Sequence, residues 1–240
     1  MIRDVVLSTP GATVAFERFH VDYCCGGSLS LAEACERAGA PLDGVLAALA
    51  EEAARPGAEV AGGEMLSVPL EMLVERLLEV HHVRSREAAA ALVPQARAAA
   101  SRDPRLARVA ALVDELFGAL LPHLDFEERH VFPYVAALER AGRENARPPA
   151  ALFASIAEPM AEMEREHEAC DRAMHEIHTL AAGLRDGAGE DLRALLDALD
   201  AHERELVRHM HLEGNVLLPR AERLEQKLRA ATGPRTRQSR

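Results

Sequence analysis

His123 and Glu127 lie four positions apart, and so do His209 and Glu213. On an α-helix that spacing puts both side chains on one face about a turn apart, so each pair can offer an imidazole and a carboxylate to one ion. The strings "HLDFEERHVFP" and "HMHLEGNVLLP" share the His, the Glu four later, and an apolar pair followed by a proline, Pro133 or Pro219. Each motif also has a histidine upstream at a matched distance: His82 is 41 residues before His123, and His167 is 42 before His209. Two helix hairpins would then each bring two histidines and one glutamate to a common centre, with two imidazoles per metal and two carboxylates placed to bridge. Iron, manganese or zinc suits such donors, and a bridged, His-rich helical setting favours two non-haem irons. A single H-x-x-x-E would carry little weight, because helices are rich in Glu and a lone buried His is more often a core residue; two copies in register are hard to produce by accident. In the first helix, Val74 and Leu78 lead to His82 while Leu73 and Leu77 lead equally to His81, so periodicity leaves that choice open. His130, His175, His178 and His202 read as supporting or surface residues.

A second chemical feature is "HVDYCCGG", residues 20–27, which sets Cys24 beside Cys25 on a glycine-bearing turn. A disulfide between neighbours would close a strained ring across one peptide bond, so a structural bridge is not expected. Thiols near a helix start can have a lowered pKa, and so react or bind soft metal; the alternative is that they only pack.

These groups need elements to hold them. The chain has 240 residues, 48% hydrophobic but 3% aromatic with no Trp, which favours helices over sheets. In residues 1–56, "GATVAFERFH", "SLSLAEACERAG" and "PLDGVLAALAEEAA" read as short helices, the second capped by Ser30 or Ser28 and ended by Gly39. Residues 57–66 read as a linker, 67–229 as a bundle and 230–240 as a disordered tail. Four longer helices are expected at roughly 67–100, 104–141, 156–184 and 189–229, an all-α four-helix bundle whose apolar seam is interrupted by the histidines and glutamates. The net charge of −11 argues against a nucleic-acid partner. No stretch reads as a membrane span, and no secretory signal is evident. A cytoplasmic protein with reduced cysteines is the expectation.

With "DYCCGG" followed by "HHVRSRE", "PHLDFEE", "EREHE" and "HMHLEGNVLLPRA", nearly the whole chain resembles the bacterial di-iron family that repairs iron–sulfur clusters (repair of iron centres), an N-terminal module joined to a haemerythrin-like bundle. The resemblance implies two non-haem irons, oxo-bridged when oxidised, held by His82, His123, His167 and His209 with Glu127 and Glu213 bridging. Oxygen-carrying haemerythrins would place a further His one turn after His167, where this chain has Asp171. The implied function is repair of clusters damaged by nitric oxide or oxidative stress, by iron donation or by reduction of nitric oxide. The alternative is a haemerythrin-like reversible gas sensor or carrier without turnover. Implied partners are damaged or apo iron–sulfur proteins, with nitric oxide or oxygen species as small ligands, and a homodimer is compatible. Cys24 and Cys25 would serve redox chemistry, metal handling or docking, a role the resemblance leaves open.

Overall fold

The computed structural model describes residues 1–24, 29–58, 60 and 66–232. Among them every regular element is helical. Four short helices come first: α1 (Ile2–Ser8), α2 (Ala12–Arg18), α3 (Leu31–Ala38) and α4 (Leu42–Ala53). α1 has no counterpart in the sequence reading; its buried Ile2 and Val6 make it part of the module's core. Ser30 caps α3, accepting from the Glu33 N–H while the Glu33 carboxylate accepts from the Ser30 N–H. This reciprocal box satisfies two donors that a helix start would otherwise leave bare. Gly39 closes the helix at φ 64°, a left-handed position that glycine takes without steric cost.

Four long helices form the bundle, and three change pitch midway. The first is α5 (Leu70–Arg76), a π-turn over Leu77–His82 and α6 (Val83–Arg102). A 3₁₀ turn at Pro104–Leu106 leads into the second: α7 (Ala107–Phe126), a π-turn over Glu127–Val131 and α8 (Phe132–Glu144). The third, α9 (Ala157–Ala182), is α-helical throughout. The fourth is α10 (Glu190–His211), a π-turn over Leu212–Leu217 and α11 (Leu218–Thr232). Pro133 and Pro219 stand second in α8 and α11. Proline brings no N–H, so each removes one rung where the ladder returns from π to α register, and the duplicated proline of the sequence motif marks a duplicated π-turn.

The first bundle helix begins at Leu70, later than the expected 67, after Pro69 as N-cap. The last runs to Thr232, past the expected 229. Gly233–Arg240 lie outside the described residues, as do Cys25–Ser28, Glu59 and Ala61–Met65 of the expected turn and linker.

Apolar residues fill the bundle in two separate clusters. One holds Leu112, Leu116, Leu120, Met174, Leu195 and Leu199; the other holds Leu73, Leu77, Val131, Phe132, Met163, Val216 and Leu217. The helices that supply both clusters carry the polar seam residues between them. The N-terminal module has its own core around Phe16, Tyr23, Cys35 and Val45, with Val207 of α10 packed against it. Polar contacts join module to bundle as well: Arg208 pairs with Glu17 at 2.8 Å, and the Asn215 amide donates to the Tyr23 carbonyl at 3.1 Å.

Candidate metal centre

All six expected donors are buried, and Glu127 and Glu213 are wholly so. Their ligand atoms fall into two overlapping groups, His123, Glu127, His167 and Glu213 in one and His82, Glu127 and His209 in the other, each within 4.8 Å. Glu127 belongs to both groups: one carboxylate oxygen lies 2.9 Å from His123 Nε2 and the other 3.3 Å from His82 Nε2. Glu213 Oε2 lies 3.4 Å from His167 Nε2 and 3.7 Å from His209 Nε2. The carboxylates therefore lie between two imidazole pairs, His123 with His167 and His82 with His209. Each pair takes one ring from each hairpin, a pairing that spacing along the chain could not reveal. His82, not His81, faces the centre; His81 turns its Nδ1 to Glu205 at 2.8 Å.

None of the four oxygens of Glu127 and Glu213 has a hydrogen-bond partner, and His82 Nε2 and both His209 nitrogens share that lack. Burying two such carboxylates without compensation costs several kcal/mol each. Acceptors converging from three helices with nothing donating to them are what a cation requires, and the imidazole–carboxylate set fits iron.

Residues 73–221, well over half the chain, match the family described as the hemerythrin HHE cation binding domain. The chain belongs to this family. Residues 1–53 match ScdA_N, described as a domain of unknown function. Proteins named "Iron-sulfur cluster repair protein YtfE" align with nearly all of both chains. That of Pectobacterium atrosepticum is 27% identical over 228 residues, covering 92% of this chain and 96% of its own. The Musicola paradisiaca protein is 28% identical over 228 residues with the same coverage, and that of Yersinia pseudotuberculosis is 26% identical over 227 residues, again 92% and 96%.

Two acidic residues that the sequence reading passed over orient the rings of this haemerythrin-type centre. Glu128 meets His82 Nδ1 at 2.8 Å, and Glu166 meets His123 Nδ1 at 2.6 Å. A carboxylate on Nδ1 holds the proton there and leaves the Nε2 lone pair for a metal. Both are neighbours of donors in sequence, at Glu127 and His167, but adjacency in a Glu-rich helix gave no reason to choose them. Arg86 braces Glu128 in turn at 2.9 Å.

Electrostatics follow from the burial. Burial and the charge of Glu213 push Glu127 well up. Burial also works against ionisation of Glu213, but the nearby His167 and Glu127 outweigh it and hold that carboxyl low. Burial presses His209 well below its usual value, keeping it a neutral donor.

Of the other histidines, His202 departs most from the expected supporting or surface role. It is 5% exposed, lies against Phe117 with ring centroids 4.9 Å apart, and is pushed down to about 4 by burial. His211, absent from the sequence reading, takes a contact from the Asn215 amide at 3.0 Å and meets the edge of Tyr23.

Cys24 is buried in the larger apolar cluster of the bundle, and its thiol donates to Asp22 at 3.1 Å. It also borders a cavity of about 360 Å³ together with His167, Gly214 and Asn215, so the first thiol of the motif and a donor histidine share one void. Cys25, the other expected thiol, lies outside the described residues. Asp171, one turn beyond His167, joins neither donor group and lines a different cavity beneath the module, where burial and Asp22 push it up to about 6.

Proposed function

We propose that the chain is a di-iron protein that repairs iron–sulfur clusters damaged by nitric oxide or oxidative stress, acting in the cytoplasm on damaged or apo iron–sulfur proteins. The observation that carries the reading is the set of four unpartnered carboxylate oxygens on Glu127 and Glu213 amid four imidazoles. The printed name of the relatives supplies the cellular task. His123 and His167 would hold one iron, His82 and His209 the other, with Glu127 and Glu213 bridging and an oxo bridge when oxidised. A bound ferrous pair would supply two reducing equivalents. Glu128 and Glu166 aim the rings of His82 and His123, and the apolar clusters lie on either side of the centre.

Iron is cargo in this reading. The cavity shared by Cys24 and His167 supports exchange on the module side, where a client protein's cysteines could approach. Cys24 and Cys25 serve docking or redox delivery there. The family resemblance equally allows reduction of nitric oxide, and one experiment separates the two. Anaerobically iron-loaded protein is first assayed for metal content, where two irons per chain are expected and one zinc or none overturns the di-iron reading. It is then mixed with apo-ferredoxin without nitric oxide. Cluster-competent iron transfer supports donation, whereas iron held against chelators, together with nitrous oxide on adding nitric oxide, supports reduction. A loaded protein that stays oxygenated reversibly would make it a carrier.

A further inference from the structure

The module and the bundle meet at a second cluster of side chains of metal-ligating type, none of them among the six donors. His20 follows α2, His178 lies on α9 and Glu203 on α10, and one ligand atom from each lies within 4.8 Å of the others. The two imidazole rings are 4.0 Å apart. His178 Nδ1 is buried and makes no hydrogen bond; Glu203 Oε2 stands 4.0 Å away and Asp200 Oδ1 3.8 Å away. His20 adopts φ 51°, a left-handed conformation that a non-glycine residue takes at a cost and that turns its ring onto the bundle.

We propose that His20, His178 and Glu203 form a third metal site, for a single divalent transition ion such as zinc or cobalt. Two imidazoles and one carboxylate are a common set for these ions, which bind such donors at about 2.0–2.2 Å and can complete four-coordination with water. His20 is exposed and His178 half-buried, which leaves both rings room to turn toward an ion. Asp22, Asp171 and Glu203 line the adjoining cavity of about 220 Å³ against Arg37, Arg172 and Arg204, while Asp200 is already paired with Arg185. An ion here would tie the turn after α2 to α9 and α10, adding coordination bonds to the packing and polar contacts that already join module to bundle. The site is independent of the di-iron reading, because none of its ligands belongs to the two bundle groups.

The test uses the full chain in two forms, iron-loaded wild type and the metal-stripped double variant Glu127→Ala with Glu213→Ala. Each is titrated anaerobically with Co(II), followed by its visible ligand-field bands, and with Zn(II) by equilibrium dialysis. One equivalent beyond the iron is expected in the first form, and the same equivalent persists in the second. His20→Gln and His178→Gln should each weaken it at least about tenfold with iron content and helical circular dichroism unchanged. Excess Mg(II) should not compete, since imidazole donors discriminate against it. Absence of the extra equivalent overturns the proposal, as does binding indifferent to both histidines or equal competition by Mg(II), which would reduce the site to an acidic surface.

Discussion

At the centre, ligand identity is decided by which atoms face the void, and single substitutions can read it. Glu127→Ala and Glu213→Ala should each lower iron content of the loaded protein while leaving the helical circular dichroism largely intact, because the two apolar clusters on either side remain. Iron bound undiminished in both, and in the double variant, would remove the carboxylates from the ligand set. The neighbouring histidines give a sharper comparison: His82→Gln should lose iron and His81→Gln should retain it, since His81 Nδ1 is engaged by Glu205. His202 belongs to the core instead. Its imidazole is pushed down to about 4 by burial, only partly offset by Glu205, so the unfolded chain takes up a proton near 6.5 that the folded chain refuses until about 4. Stability through this group is whole above about 6.5 and is lost as pH falls toward 4. At about 1.36 kcal/mol per pKa unit the loss is about 3 kcal/mol. His202→Leu should flatten that part of the acid limb in denaturant melts. An unchanged slope would mean that water reaches the ring.

Three of the bundle helices carry a π-turn at the donors, and the fourth, α9, supplies a single donor without one. π-turns are rare and costly in backbone geometry, and they occur mostly at functional sites. Here their effect is a matter of register. With five-residue hydrogen bonding, the face that buries Leu77 passes to His82 rather than His81. The same slip lets Glu127 and Glu213 begin or nearly begin their π-turns while their upstream histidines end α-helical stretches. The third π-turn also holds the module: Asn215, within it, donates to the Tyr23 carbonyl beside Cys24. Asn215→Ala leaves that carbonyl without its donor and should weaken module docking by about 1–3 kcal/mol. Faster modification of Cys24 by a thiol reagent, in a Cys25→Ala background, is the expected readout; an unchanged rate would show the apolar contacts suffice. On α3, Ser30→Ala breaks the capping box and should cost about 1 kcal/mol, seen in melting of the module.

For the whole molecule, the question is how a buried iron centre serves a protein outside it. No described helix is long and apolar enough to cross a membrane. Module and bundle share the cavity that joins Cys24 to His167. Every proposed iron donor lies beyond the module, so Cys24→Ala with Cys25→Ala should keep both irons while slowing transfer to an apo-ferredoxin. Transfer at the wild-type rate would return the thiols to a packing role. Loss of both irons would instead show that the module is needed to close the centre.

The helical class, the apolar seam and the chemistry of the donors were legible in the residues themselves, because a 3.6-residue period and a duplicated His–Glu spacing act over one helix at a time. So was the capping of α3 by a serine, Ser30 or Ser28, and by Gly39, which rests on local backbone needs; the structure takes Ser30. Periodicity did not choose His82 over His81; the family resemblance implied His82, and the tertiary structure supplies the physical reason. An ordinary helical period carries two adjacent residues almost equally to the seam, and a π-turn, set by packing against the other helices, breaks the tie. The crossed pairing of His123 with His167 and His82 with His209, the orienting Glu128 and Glu166, and the meeting of His20 with His178 and Glu203 share one cause. Each joins residues dozens of positions apart, and no local spacing records which helix lies beside which.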